Sequence, residues 1–173
     1  MEKLFKLLSD AQSSLFVLFH KTWVYHWNVV GKDFQQLHTL FGGQYETMFE
    51  EIDRLSEHMR YLNVKPLSSL NRVLEVSKIK EASSSANDET MISDLLQSNI
   101  DFCDMMVKIS EEAENQKQYA TANLVQDLME SHGKFVWMLR SFSDTSLRKV
   151  QEEEEVQEEV QEEISEVEEV TEE

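Results

Sequence analysis

Apolar residues recur at intervals of three and four along most of the chain. Within residues 3–30, Leu4, Leu7, Leu8, Leu15, Leu18, Phe19, Thr22 and Tyr25 fall at helical spacing. A second stripe of Leu37, Leu40, Phe41, Tyr45, Met48, Ile52, Leu55, Met59 and Leu62 predicts a helix over about 34–62, stopped by Asn63 and Pro66. Gly31 suits the end of the first helix, and Asp33 with Gln36 three residues later resembles a capping box for the second. Residues 64–86 read as a connection, with a short helix at 69–76 and a serine-rich loop at 82–85. Met91, Leu95, Phe102, Met106 and Ile109 mark a third long helix over about 87–114. Ala122, Val125, Leu128, His132, Phe135 and Leu139 mark a fourth over about 118–143. Four long helices with one longer middle connection predict an all-α four-helix bundle with a short helix in that connection. The Gly42-Gly43 pair weakens the second helix unless packing or a close approach compensates.

This pattern stops near residue 149. Residues 151–173 repeat Val-Gln-Glu-Glu units, with thirteen Glu and no Lys or Arg. The predicted organisation is therefore a bundle over 1–149 and an acidic tail over 150–173, disordered or a fraying helix. The net charge of −18 resides mostly in that tail, and the first 150 residues carry only −5. Neither part offers the basic surface that a phosphate backbone requires, which argues against direct DNA binding. Leu15–Phe19 is too short an apolar run for a signal h-region or a membrane span. A single cysteine, Cys103, excludes an intrachain disulfide framework and fits a reducing cytoplasm.

The candidate chemistry lies in His26, His38, Asp53 and Glu57. Two imidazoles and two carboxylates form a mixed N/O set suited to iron, zinc or manganese. Asp53 and Glu57 share a helix face, and His26 and His38 flank the break at Gly31-Lys32. His38 and Asp53 lie fifteen residues apart on one predicted helix, roughly 22 Å along its axis. One straight helix cannot bring them to the same ion, so a site using all four residues requires two chains. A site inside one bundle would use Glu-x-x-His pairs. Val17, Trp23, Gln35, Leu55 and Met129 stand three residues before the five histidines, which excludes that arrangement. His20 and His132 read as packing or hydrogen-bonded residues, and Trp23 and Trp137 as core or interface aromatics.

The run Tyr25-His26-Trp27-Asn28-Val29-Val30-Gly31, followed by Phe34, Leu37-His38, Tyr45, Asp53, Glu57 and Lys65-Pro66-Leu67, resembles the Dps family of mini-ferritins. Leu74-Glu75, Ile79-Lys80-Glu81, Thr121-Ala122, Asp127 and Trp137-Met138-Leu139-Arg140-Ser141 extend the likeness over about residues 5–143. The resemblance implies a ferritin-like bundle assembled as a hollow dodecamer. It implies a ferroxidase centre at a two-fold interface, with His26 and His38 from one chain and Asp53 and Glu57 from its neighbour. Ferrous iron would be oxidised there, preferentially by hydrogen peroxide, and stored as ferric mineral, protecting against oxidative damage; zinc is a possible substitute occupant. By the same resemblance, Trp27 is a radical-trapping candidate and Asp127 a pore candidate. Three positions depart from the family pattern: Gly42 and Asn123 stand where acidic residues are common, and His58 follows Glu57 in place of arginine. A competing expectation is a non-enzymatic helical cage, or structural metal-binding assembly, whose acidic tail recruits a basic partner.

Overall fold

The computed structural model describes residues 1–143; residues 144–173, which carry the predicted 149/150 boundary and the acidic tail, lie outside the described residues. Five helices and no strand occur among the described residues: α1 (Glu2–Asn28), α2 (Phe34–Tyr61), α3 (Leu70–Val76), α4 (Asp88–Asn115) and α5 (residues 119–143). Residues Met1–Leu139 form one compact unit. No helix there is long and apolar enough to cross a membrane.

The predicted helices form, with two local differences. α1 ends at Asn28, because Val29 turns to extended backbone (φ −62°, ψ 137°) and buries its side chain. Gly31 takes the left-handed conformation (φ 108°) in the reversal that follows, where a side chain would be strained. The expected capping box at Asp33 does not form. Asp33 has φ −100° and ψ 15°, away from the extended geometry that aims a cap oxygen at the first turn, and its side chain makes no cap bond. Asn87 does cap α4, accepting from the Thr90 N–H at 2.9 Å, with Asp88 and Glu89 in the first turn complementing the helix dipole.

Cross-helix contacts fix the topology. His26 meets His38 and Thr22 meets Met48, so α1 and α2 are antiparallel. Lys21 bonds Asp94 and Lys3 bonds Glu112, making α4 antiparallel to α1. α5 runs antiparallel to both α2 and α4 through His132 with Glu51 and Asn99, Arg54 with Asp127, and Gln126 with Ser110. α2 and α4 are thus parallel, and the connection between them must travel the length of the bundle. It lies over α1, held by Leu67 N–H on Gln12 Oε1 and Lys78 N–H on Ser14 Oγ. Leu4, Leu15, Leu18, Phe41, Met48, Leu55, Phe102, Met106, Leu128 and Leu139 are fully buried in the centre.

Two clusters built on ion pairs, Lys21 with Asp94 and His132 with Glu51, interrupt that core. Lys21, 1% exposed, donates to Asp94 Oδ1 at 2.7 Å and Ser98 Oγ at 3.1 Å. Tyr25 donates its hydroxyl to Asp94 Oδ2 at 2.6 Å and accepts the Ser83 N–H at 3.1 Å. Burial, reinforced by the bond to Asp94, pushes the Tyr25 phenol from 10.0 to about 12. The folded state therefore holds this proton more tightly than the unfolded chain does. Its stabilisation, about 2–3 kcal/mol, is complete below pH 10 and lost as pH rises towards 12. Denaturant midpoints measured across that range are expected to fall in the wild type and to fall less in Tyr25→Phe.

The second group joins three helices. His132 is fully buried, with Nδ1 2.7 Å from Asn99 Oδ1 and Nε2 3.1 Å from Glu51 Oε2. Asn99 donates its amide nitrogen to Leu95 O, which leaves its oxygen to accept from the imidazole. His132 Nδ1 must then carry hydrogen, and Nε2 shares a single proton with the Glu51 carboxyl.

Candidate metal centre

His26 lies in the last turn of α1 and His38 in the second turn of α2, on either side of the reversal at 29–33. Their rings stack with centroids 3.7 Å apart and planes at 22°. His26 Nδ1 is 2.7 Å from His38 O, and His38 Nδ1 is 2.9 Å from His26 O. Carbonyl oxygens only accept, so both Nδ1 atoms carry hydrogen. In the neutral rings the lone pairs then sit on Nε2, the state in which imidazole ligates a metal. The backbone of each residue fixes the tautomer of the other.

Gly42 permits this arrangement. A Cβ placed there would approach His26 Cε1 to 3.3 Å and Nδ1 to 3.5 Å, because the imidazole lies over the helix backbone to reach His38 O. The close approach that the sequence required of the glycine pair therefore exists at Gly42. Gly43 has open space beside it. Phe34 packs near His38 and Tyr45 meets His26 edge-on, with centroids at 5.1 Å in each case.

Asp53 and Glu57 stand one turn apart on α2, both exposed. α2 is continuous from Phe34 to Tyr61, so the axial separation from His38 expected of one helix applies. Among the described residues of one chain, no three His, Cys, Asp or Glu side chains gather where they could hold a metal ion. Asp53 instead borders an open apolar groove lined by Phe16, Phe19, Trp23, Tyr45 and Phe49.

The neighbours of the carboxylates are also placed. His58 turns towards α5, with Nε2 2.8 Å from Thr121 Oγ1, and burial holds its imidazole below the ordinary value. Asp127 pairs with Arg54 at 2.9 Å, and Asn123 is exposed. Trp27 is 55% exposed and packs against Trp23 with centroids 4.5 Å apart. Burial, with a smaller contribution from Asp104, pushes the Cys103 thiol up to about 11, so it is protonated at neutral pH.

A family model described as the ferritin-like domain matches residues 5–149. A "DNA protection during starvation protein" of Brevibacillus brevis is 29% identical over 136 residues, covering 79% of this chain and 91% of the relative. The chain belongs to the ferritin-like family, on its Dps branch. An uncharacterized low temperature-induced protein of Nostoc sp. is 32% identical over 138 residues, covering 79% of this chain and 77% of that protein. The crystal structure of a Dps protein from Vibrio cholerae O1, described as a member of a broad superfamily of ferritin-like diiron-carboxylate proteins, superposes with a TM-score of 0.78 at 28% identity. That match covers 82% of this chain and 89% of the Vibrio chain. Iron storage and protection are the functions this Dps membership supports in general terms.

Two features of this Dps-type chain escaped the sequence reading. Glu51 and Asn99 lie on the core stripes, Glu51 between Met48 and Leu55 and Asn99 between Leu95 and Phe102, so their buried bonding to His132 was signalled by position. The contact of Tyr45 with His26 had no comparable signal, since it depends on how closely α1 approaches α2.

Proposed function

We propose that this chain is the subunit of an iron-storing cage, a dodecamer in a reducing cytoplasm, and that the cage oxidises ferrous iron at sites shared by two subunits. His26 and His38 of one subunit and Asp53 and Glu57 of another supply the ligands. The observation that carries this reading is the imidazole pair: both rings are pinned through Nδ1 with the Nε2 lone pairs available, yet the matching carboxylates lie far along the same helix. Ferrous iron is the substrate. Carboxylates stabilise the higher charge of the ferric product, which lowers the barrier to electron loss. Two ferrous ions supply the two electrons that convert hydrogen peroxide and two protons into two waters, and the ferric ions pass to mineral in the cavity. Gly42 offers no carboxylate beside His38, so one iron position is tight and the second loose. Zinc is a competitor for the same donors.

Complementation tests the shared site. His38→Ala and Asp53→Ala chains, each inactive alone, are co-assembled in equal amounts. Sites spanning two chains recover in about a quarter of positions, since half the random dimers are mixed and each contains one intact site. Mixed assemblies as inactive as their parents would defeat the shared-site reading. Peroxide-independent, equally slow oxidation in wild type and variants would instead favour a non-enzymatic cage. A further expectation concerns Gly42→Ala: its methyl group displaces the His26 ring, and zinc affinity by calorimetry falls about tenfold.

A further inference from the structure

Asp53 and Glu57, which the proposed function makes iron ligands, stand among basic residues of their own helix. Arg54 lies three residues before Glu57 and Arg60 three after it, the spacing at which side chains on one helix meet. Each of these cations is bonded elsewhere, and neither carboxylate has an ion pair or side-chain hydrogen bond among the described residues. Arg54 Nη2 crosses from α2 to α5 and donates to Asp127 Oδ2 at 2.9 Å. Arg60 Nη1 reaches the Val64 carbonyl at 3.4 Å, beyond the end of α2. The imidazole of His58, next to Glu57, turns to Thr121 on α5. Arg54 and His58, one turn apart, thus share the side of α2 that faces α5, while Asp53 and Glu57 share another. Of the three, Arg54 bears most directly on the carboxylates. It follows Asp53 in the chain, borders the same open groove and carries a permanent charge.

We infer that Asp127 is a positioning residue for the metal site: by holding Arg54 on α5, it keeps Asp53 and Glu57 free to bind ferrous iron. The inference rests on the proposed shared site. Released from Asp127, the guanidinium pairs with Glu57 across one helical turn, and an arriving metal ion has to displace it. It also sets a fixed positive charge beside a divalent cation. Both effects oppose metal binding and leave the electron-transfer step alone. They therefore raise the KM for ferrous iron at unchanged kcat. The side chains of Arg54 and Asp127 are 52% and 61% exposed, so the effect is a few-fold one and weakens with salt. The resemblance gives Asp127 a different role, as a carboxylate lining a pore. Neutralised by Arg54, it offers a passing cation little net charge, whereas its hold on Arg54 acts on the ligands themselves.

The test titrates zinc, a redox-silent probe, into the full-length assembled protein by calorimetry at low and high ionic strength. The binding lost in Asp53→Ala identifies the site, apart from any zinc taken by the glutamate-rich tail. Asp127→Asn is expected to weaken that binding about threefold at low salt and by less at high salt. Arg54→Gln/Asp127→Asn restores the wild-type affinity, because no guanidinium remains to compete. In stopped-flow assays, Asp127→Asn raises the KM for ferrous iron by the same factor, and the double variant reverses it. Unchanged zinc affinity in Asp127→Asn overturns the inference; slower oxidation alongside it assigns Asp127 to ion entry, since a pore alters rates and not equilibrium. An equal loss of affinity in the single and double variants overturns it too, because the contact between α2 and α5 would then matter and not the freed arginine. Both results leave the shared site intact. Zinc binding that survives Asp53→Ala unchanged overturns the shared site, and the inference with it.

Discussion

Replacing Asp53 with alanine is expected to lower peroxide-driven ferrous oxidation by about a hundredfold or more while leaving the bundle stable. Loss of a residue that only orients a ligand costs about 10–100-fold in metal sites, so deleting a ligand sets the larger figure. Asp53 is exposed on α2, borders the open groove and makes no side-chain hydrogen bond or ion pair among the described residues, so its removal should alter stability by less than about 0.5 kcal/mol. Stopped-flow ferric absorbance and a denaturation curve on the same preparation separate the two effects. Wild-type oxidation rates in Asp53→Ala would remove this carboxylate from the chemistry. His38→Ala is expected to lose the activity as well, with an additional structural effect, because its Nδ1 proton is bonded to the carbonyl of His26.

The largest stability effect is expected at His132. In His132→Ala, Glu51 is left as a buried carboxyl without its partner, and Asn99 Oδ1 loses its donor. Breaking such a pair from one side costs about 3–5 kcal/mol, whereas replacing both members with apolar residues of similar volume is close to neutral. Glu51→Met/His132→Leu should therefore recover most of the stability lost in His132→Ala. Urea denaturation at one fixed protein concentration makes the comparison, since assembly links stability to concentration. A double variant as unstable as the single would mean that the volume of the imidazole, and not its bonding to Glu51, supports the junction of α2, α4 and α5.

Helix positions were legible because long runs of Leu, Met and Phe at helical spacing have few other ways to be buried. The antiparallel hairpins follow from the short reversals at 29–33 and 116–118, and the one long connection joins the parallel pair α2 and α4. The reversal at 29–33 was legible as a break but not in its mechanism: Asp33 looked like a cap by residue type, yet its backbone angles carry the side-chain oxygen away from the first turn. Gly42 looked like a weakness in α2 and is a clearance for the His26 ring. No rule of spacing anticipates that clearance, because it depends on the distance between two helix axes. The four candidate ligands were readable as a donor set, and the helix length alone required them to work in separate places. Their proposed division between two subunits rests on that separation, and complementation tests it directly.

α2 carries an imidazole near its beginning and the carboxylate pair near its end, each serving a different site in the proposed assembly. A newly made chain therefore holds two unmatched halves of the chemistry and cannot complete either. In that assembly, dilution to single subunits would silence oxidation, because each site is complete only where two chains meet. Reactivity is tied to pairing by the length of one helix, with no separate inhibitor needed to keep the free subunit quiet.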